Sequence, residues 1–210
     1  MIQEPKLSVL MPAYNAEKYI GEAIESILNQ TFKDFEFIII DDCSTDKTWE
    51  IILDYSKKDD RIIALRNEKN LKISATLNKG IEIVKGKYIA RMDADDWSYP
   101  DRLQKQHEFM EKNLEVGISG GTIEVCDENL KVLNKRAYNL TDEEIRKKIF
   151  RYSPFCHPAT IYKTVLAQKN YYNLDLETAE DYDFYFRVDC LCRFKYSFLA
   201  HFNHQVVIIL

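Results

Sequence analysis

Three carboxylates fall within four residues at Asp93, Asp95 and Asp96, directly after an apolar run, Tyr88-Ile89-Ala90, that reads as a buried strand. Carboxylates crowded this closely repel one another, so gathering them makes sense mainly around a cation. Oxygen ligands suit hard cations, and Mg²⁺ or Mn²⁺ shared between carboxylates and a substrate's phosphates fits best. Taken alone, the stretch also reads as a solvated acidic turn leading into the helix near Pro100. A second acidic group, Asp41, Asp42 and Asp46, follows another apolar run, Phe35 to Ile40. Asp42 can accept a hydrogen bond from the imide nitrogen of uracil, and Tyr14 can stack on a base. Helix capping for the acids, and packing at a strand end for Tyr14, are the plainer readings.

Such clusters need a frame that brings them together. Leu7 to Met11 is a short strand stopping at Pro12, and Ile20, Ile24, Ile27 and Leu28 recur at helical spacing with Asn15 as N-cap. Phe35 to Ile40 is the second strand, and Ser44 and Thr45 cap a helix carrying Trp49, Ile52 and Leu53. Arg61 to Leu65 and Lys87 to Met92 are further strands, separated by a helix with Leu77, Ile81 and Val84. Pro100 opens the next helix as a first-turn residue. Strands alternating with helices imply a mostly parallel sheet with helices on both faces. After Asn113 the rhythm changes to short antiparallel strands at 118–125 and 131–133. A helix follows from the Thr141-x-x-Glu144 capping box, and another spans Ala179 to Cys190. The expected division is an α/β nucleotide-binding half over 1–113 and a smaller acceptor-side half over 114–210, both within one domain.

In such sheets ligands bind beyond the carboxyl ends of the strands, where Pro12 to Asn15, Asp41 to Asp46 and Asp93 to Asp96 all fall. Convergence of three segments on one edge is hard to explain by solvation. No glycine-rich loop follows the first strand, so a metal must carry most of a diphosphate's charge. The 210 residues include 30% charged and 46% hydrophobic ones, ordinary for a soluble protein. A net charge of −5 argues against a general nucleic-acid binder. No run approaches the roughly 20 apolar residues that span a bilayer, and the N-terminal residues lack a signal-peptide stretch, so a cytoplasmic location is expected. The five cysteines, 43, 126, 156, 190 and 192, show no zinc or redox spacing and read as reduced thiols.

In this order, Ser8-Val9-Leu10-Met11-Pro12-Ala13-Tyr14-Asn15, Ser26 to Thr31, Ile40 to Asp46, Leu77-Asn78-Lys79-Gly80-Ile81, Tyr88 to Asp96 and Pro100 to Leu103 resemble the family 2 glycosyltransferases of GT-A fold. His157-Pro158 and Glu180-Asp181-Tyr182-Asp183 extend the resemblance, which covers roughly residues 6 to 190. It implies a metal-dependent inverting transferase. The sugar would move from a nucleotide diphosphate donor, UDP-linked by expectation, to a saccharide or lipid-linked saccharide in surface polysaccharide assembly, with peripheral contact at the inner membrane face. By the same resemblance Pro12 and Tyr14 line the base pocket, Asp42 reads the base, Asp93 lies near ribose and diphosphate, and Asp95 ligates Mn²⁺ or Mg²⁺. Asp181 is then the catalytic base, a role that inverting transfer requires of one carboxylate, and two acids in a first helical turn are the structural alternative. His157 faces a sugar or is a buried structural histidine, and Trp97 stacks on a sugar or fills core. A nucleotidyltransferase would bring a glycine-rich loop, and a glycosidase needs neither nucleotide nor metal. The chain departs from the pattern at Lys72, where the family often has glycine. It departs again after Phe194, where His201, His204 and Val206 to Leu210 do not match the usual closing strand and loop. That last departure motivates the alternative of a catalytically weak nucleotide-sugar-binding module in a polysaccharide assembly complex.

Overall fold

The computed structural model describes residues 4–127, 131–136, 141–176, 178–196 and 206–209. From the N-terminus come β1 (Leu7–Ala13), α1 (Ile20–Leu28), β2 (Phe35–Asp41), α2 (Thr48–Ser56), β3 (Ile62–Arg66) and α3 (Lys72–Ile83). Next are β4 (Tyr88–Arg91), the two-residue β5 (Trp97–Ser98), α4 (Arg102–Lys112), β6 (Val116–Gly120), β7 (Ile123–Cys126) and β8 (Val132–Arg136). The remainder is α5 (Asp142–Lys148), a 3-10 turn at His157–Ala159, β9 (Thr160–Lys163), α6 (Thr164–Lys169), α7 (Glu180–Val188), β10 (Arg193–Tyr196) and β11 (Val206–Ile209).

Seven strands form the central sheet in the order β10-β6-β9-β4-β1-β2-β3. Every neighbouring pair is parallel except the two that β9 makes, antiparallel to β4 and β6. Period-2 alternation in the inner strands sends side chains to two separate cores. Leu7, Val9 and Met11 pack with Ile24 and Ile27 of α1, Ile52 of α2 and Leu103 of α4. Leu10, Ile38, Ile40 and Ile89 pack on the other face with Leu77 and Ile81 of α3 and Phe184 of α7. The architecture is therefore α/β, with a mostly parallel sheet covered on both sides. No helix among the described residues is long and apolar enough to cross a membrane.

The sheet opens where the chemistry must sit. β1 pairs with β4 only as far as Leu10, whereas its ladder to β2 continues to Ala13. The strand thus runs through Pro12 instead of stopping there. Leu10 O accepts from Met92 N, so Pro12, two residues on, turns its missing N–H toward the side that β4 has left, and no ladder bond is lost. Connections from β1 lead one way to β2 and β3, while β4 lies on its other side. That switch point is where an open α/β sheet forms a crevice.

Several local expectations are corrected. Asn15 does not cap α1, which begins after Tyr19; it sits at φ 49° and its side-chain oxygen accepts from Thr45 N at 2.8 Å. Ser44 accepts from Asn15 N at 2.9 Å and caps nothing, and Thr48 N is met by Asp46 Oδ1 at 2.9 Å. These polar residues tie the β1 loop to the β2 loop instead of starting helices. Pro100 precedes the N-cap Asp101 of α4, and its carbonyl accepts from Thr31 N at 2.7 Å. The apolar stretch 118–125 is two strands, because the chain leaves the large sheet after Gly120 and enters a second one ordered β5-β11-β7-β8. The capping box of α5 forms in both directions, with Thr141 N donating to Glu144 Oε2 at 2.8 Å and Glu144 N to Thr141 Oγ1 at 3.3 Å. Residues 206–209, expected as an unmatched tail, instead form β11, antiparallel to β5 and parallel to β7. His201 and His204 lie outside the described residues.

Candidate functional site

Where β1 and β4 part, a cleft of about 420 Å³ opens. Pro12, Tyr14, Asp42, Asp93 and Asp95, five of the six residues singled out from sequence, line it together with Lys72, Ile73 and Thr76. Tyr14 is half exposed, so its ring is available instead of packed. Asp41 and Asp42 divide the two roles open to them. Asp41 is wholly buried, accepts from Ser44 N and pairs with Arg66 Nε at 3.0 Å, which makes it a loop anchor. Asp42 Oδ1 accepts from Asn67 Nδ2 and Leu71 N, both at 2.8 Å, and Oδ2 accepts from Lys72 N at 2.9 Å. Asp42 is thereby fixed at the cleft wall by donors from the turn leading into α3.

At the other wall, one ligand atom from each of Asp93, Asp95 and Asp96 lies within 4.8 Å of the others. Beneath them are two fully buried guanidinium groups. Arg91 Nη2 pairs with Asp93 Oδ1 at 2.6 Å. Desolvation works against the Arg91 charge, and the negative groups around it, Asp93 foremost, more than offset that and raise its pKa. Arg102 Nη2 donates to Arg91 O at 2.6 Å and its Nε to Gln106 Oε1 at 3.1 Å. Burial, with Asp93 and Asp95 alongside, pushes the Asp96 carboxyl up to about 8. Partial desolvation of its carboxyl, then Asp93, also raises Asp95, although that residue is exposed at its outer edge. Asp96 Oδ2 is buried and has no hydrogen-bond partner among the described residues. Three converging carboxylates, two of them, Asp95 and Asp96, with raised pKa values, and one orphaned oxygen fit a hard divalent cation, which would satisfy that oxygen and relieve the repulsion.

Asp181 does not line this cleft. It stands in the first turn of α7, where its Oδ1 accepts from Tyr182 N at 2.7 Å and its Oδ2 from Ser153 Oγ at 3.3 Å. Cys156 links the two regions: after burial, the charges of Asp96, Asp93 and Asp181 together push its thiol up to about 12. Glu180 is buried against His157, with Oε1 3.5 Å from Nδ1, and His157 Nε2 meets Tyr172 OH at 2.9 Å. Burial alone would raise Glu180, but the bond from His157 reverses this and its pKa falls. His157 is thus the buried, bonded histidine of the two alternatives. Trp97 is half-buried in β5, its ring edge-on to Tyr99 at 4.9 Å, and borders a separate smaller cleft with Glu22 and Glu25.

Sequence reasoning passed over Arg91 and Arg102 as site residues. The signal was present: an arginine within the apolar strand Tyr88-Ile89-Ala90-Arg91-Met92 has to be paired, and the adjacent acids are its partners. Asn67 gave no such signal, because its part depends on the turn that carries it to Asp42.

Comparison with known proteins bears on this geometry. The sequence model for glycosyl transferase family 2 matches residues 8–169. An uncharacterized glycosyltransferase of Methanocaldococcus jannaschii, MJ1057, is 40% identical over 205 residues, which are 96% of this chain and 70% of that protein. Among solved structures, S. aureus TarS 1–349 in complex with UDP-GlcNAc superposes with a TM-score of 0.76 at 24% identity, over 98% of this chain and 58% of that one. The mannosyltransferase PcManGT from Pyrobaculum calidifontis, in complex with GDP-Man and Mn²⁺, gives a TM-score of 0.68 at 16% identity, over 100% of this chain and 57% of that one. Both likenesses are of fold, and this chain spans little more than half of each of those two structures.

Proposed function

The chain belongs to glycosyl transferase family 2, and from that premise we propose that it moves a sugar, with inversion, from a nucleotide diphosphate donor, UDP-linked by preference, to a saccharide or lipid-linked saccharide acceptor. The observation that carries this reading is that Asp93 and Asp95, clustered with the buried Asp96, line the same cleft as Tyr14 and Asp42. A charge-neutralising end and a base-sized end in one crevice suit a nucleotide diphosphate. TarS and PcManGT, which share the fold, are known with UDP-GlcNAc and with GDP-Man and Mn²⁺.

In this reading Tyr14 stacks on the base above Pro12, Asp42 accepts from its ring nitrogen, and Asp93 lies beside ribose and diphosphate. Asp95, with Asp93 and Asp96, would hold Mn²⁺ or Mg²⁺, which supplies positive charge opposite the departing diphosphate. Asp181 takes the proton of the acceptor hydroxyl as its oxygen attacks the anomeric carbon. Glu180, held by His157, keeps the start of α7 in place so that Asp181 faces the acceptor side. Arg91 and Arg102 hold the acids together before any ligand arrives, which lowers the reorganisation that binding requires. The division of labour is donor side over 1–113 and acceptor side over 114–210. Assembly of a surface polysaccharide by a cytoplasmic protein in peripheral contact with the membrane completes the proposal.

Calorimetry with UDP, GDP, dTDP and CDP, with and without Mn²⁺, on wild type and Asp95→Ala tests it. Metal-dependent binding of UDP that the variant loses while remaining folded supports the reading; binding indifferent to metal and to Asp95 refutes the assigned cleft. Asp181→Asn should keep donor binding and lose transfer. A wild-type chain that binds the donor and turns over no acceptor would be the binding module instead.

A further inference from the structure

Lys72 is the only cationic side chain among the described residues that line the cleft, and it stands where the backbone least welcomes it. Its φ is 69°, a left-handed conformation that suits glycine and strains other residues. Its own N–H is held there by donating to Asp42 Oδ2 at 2.9 Å and Asn70 Oδ1 at 3.1 Å. The ammonium group, by contrast, has no carboxylate partner among the described residues.

The same bonds limit what Asp42 can still do. A carboxylate offers about four acceptor positions. Asn67 Nδ2 and Leu71 N take both on Oδ1, and Lys72 N takes one on Oδ2. One position remains, on the oxygen that already touches the Lys72 backbone. Asp42 is 4% exposed, so a ligand in the cleft meets that single acceptor. The four-carbon stem of Lys72 starts from the same spot, at the lining of the same cleft, and is long enough to bring a donor to a ligand there.

We propose that Asp42 and Lys72 act as a coupled acceptor and donor that read an N–H beside a C=O on the donor base, which makes Lys72 a specificity-determining residue. This rests on the donor-cleft reading above. Uracil presents one ring N–H flanked by carbonyls and matches one open acceptor plus one cation. Guanine presents a ring N–H and an amino group to a carboxylate with room for one donor. Cytosine and adenine place a bare ring nitrogen opposite Asp42 and an amino group opposite Lys72, so both contacts become repulsive. The cleft therefore selects uracil over guanine, and both over cytosine and adenine. Thymine shares uracil's imide edge and passes this filter with it.

The test is titration of UDP, CDP, GDP and uridine into wild type, Lys72→Met and Lys72→Gly at constant Mg²⁺. Methionine keeps the stem and removes the charge, while glycine also relaxes the backbone, so one of the two remains folded even if the other does not. Wild type should prefer UDP to CDP by more than about tenfold, the worth of one charged hydrogen bond. Both variants should lose about that factor for UDP and for uridine alike, while CDP binds no worse or somewhat better, because its repulsion with the ammonium is relieved. A UDP affinity unaltered in Lys72→Met overturns the inference. So does an equal loss for UDP, CDP and GDP with uridine untouched, because the ammonium then serves the diphosphate and not the base. If wild type binds none of these ligands, the donor-cleft reading itself fails and takes this inference with it, a result distinct from the other two.

Discussion

Replacing Gln30 by leucine should cost the fold about 3 kcal/mol, although the shape of the side chain is nearly preserved. Gln30 is wholly buried; its two amide hydrogens are shared among Ser26 O at 3.0 Å, Ser98 Oγ at 3.2 Å and Tyr99 O at 2.7 Å, and its Oε1 accepts from Leu103 N at 3.0 Å. Ser26 O is among the last carbonyls of α1 and Leu103 N among the first amides of α4, groups that neither helix can satisfy internally. Leucine would leave that carbonyl and that amide buried without their partner, at about 1 kcal/mol each, and would remove the 2.7 Å bond to Tyr99 for about 1 more. The segment between β4 and α4, which carries the three acids, is what this amide secures, so the proposed metal-dependent nucleotide binding should weaken as well. Urea unfolding of Gln30→Leu against wild type reads the stability directly. A loss below about 1 kcal/mol with an unchanged denaturant slope would refute the reasoning, because the stranded groups must then have found water or other partners.

Gly86→Ala should be as damaging for a different reason: an added Cβ would stand 2.5 Å from both Leu7 C and Ser8 N, backbone atoms that cannot swing aside. A cost of about 3 kcal/mol, the upper end for overpacking, is expected in the same urea assay, and under about 1 would show that β1 yields easily. At pH 8 a thiol raised to about 12 is ionised to about one part in ten thousand, so iodoacetamide should label exposed Cys190 well before Cys156. Mg²⁺ without nucleotide should speed labelling of Cys156 by offsetting Asp93 and Asp96 while leaving Cys190 alone; mass spectrometry showing no difference would argue against a cation there. Hydrogen bonds from Arg61 hold the Asp59 carboxyl below its ordinary value of 3.8 despite partial burial. The resulting stabilisation is complete well above 3.8 and fades as pH falls through it toward the depressed native value. The gap in urea midpoint between wild type and Asp59→Asn should therefore narrow from pH 6 to pH 3, and a constant gap would contradict it.

The parallel strands were legible because burial on both faces writes itself as unbroken apolar runs, as in Phe37 to Ile40, and their ends announced the acids. Polar residues after those strands were harder to place. Asn15, Ser44 and Thr45 carry the chemistry of helix caps, and only the approach of the two loops turned them to bonding each other. β5 and β10 gave no usable pattern, since two residues cannot show a period and Arg193-Phe194-Lys195-Tyr196 is short and charged. The change of sheet after Gly120 is set by partners distant in sequence, β9 on one side and β11 on the other. In the site, residue types pointed to the acids and to Tyr14 and Asp42, which line one cleft with Asp93 and Asp95. The division of labour between Asp41 and Asp42 depended on which of them Arg66 reached.

The pairing of β11 with β5 has a consequence in time. A growing chain makes Trp97 and Ser98 early, directly after the acids, but the strand that will lie beside them emerges much later. Folding proceeds during synthesis, so β1 to β4 and their helices can assemble while β5 has no neighbour and one edge of β7 stands open. Open edges recruit other strands. During that interval the segment after the acids is held from the α1 side by Gln30 and Ser26, and a nascent chain released before residue 206 would leave β5 without its strand neighbour. Arrival of Val206 to Ile209 closes the edge and gives β5 that neighbour in one step.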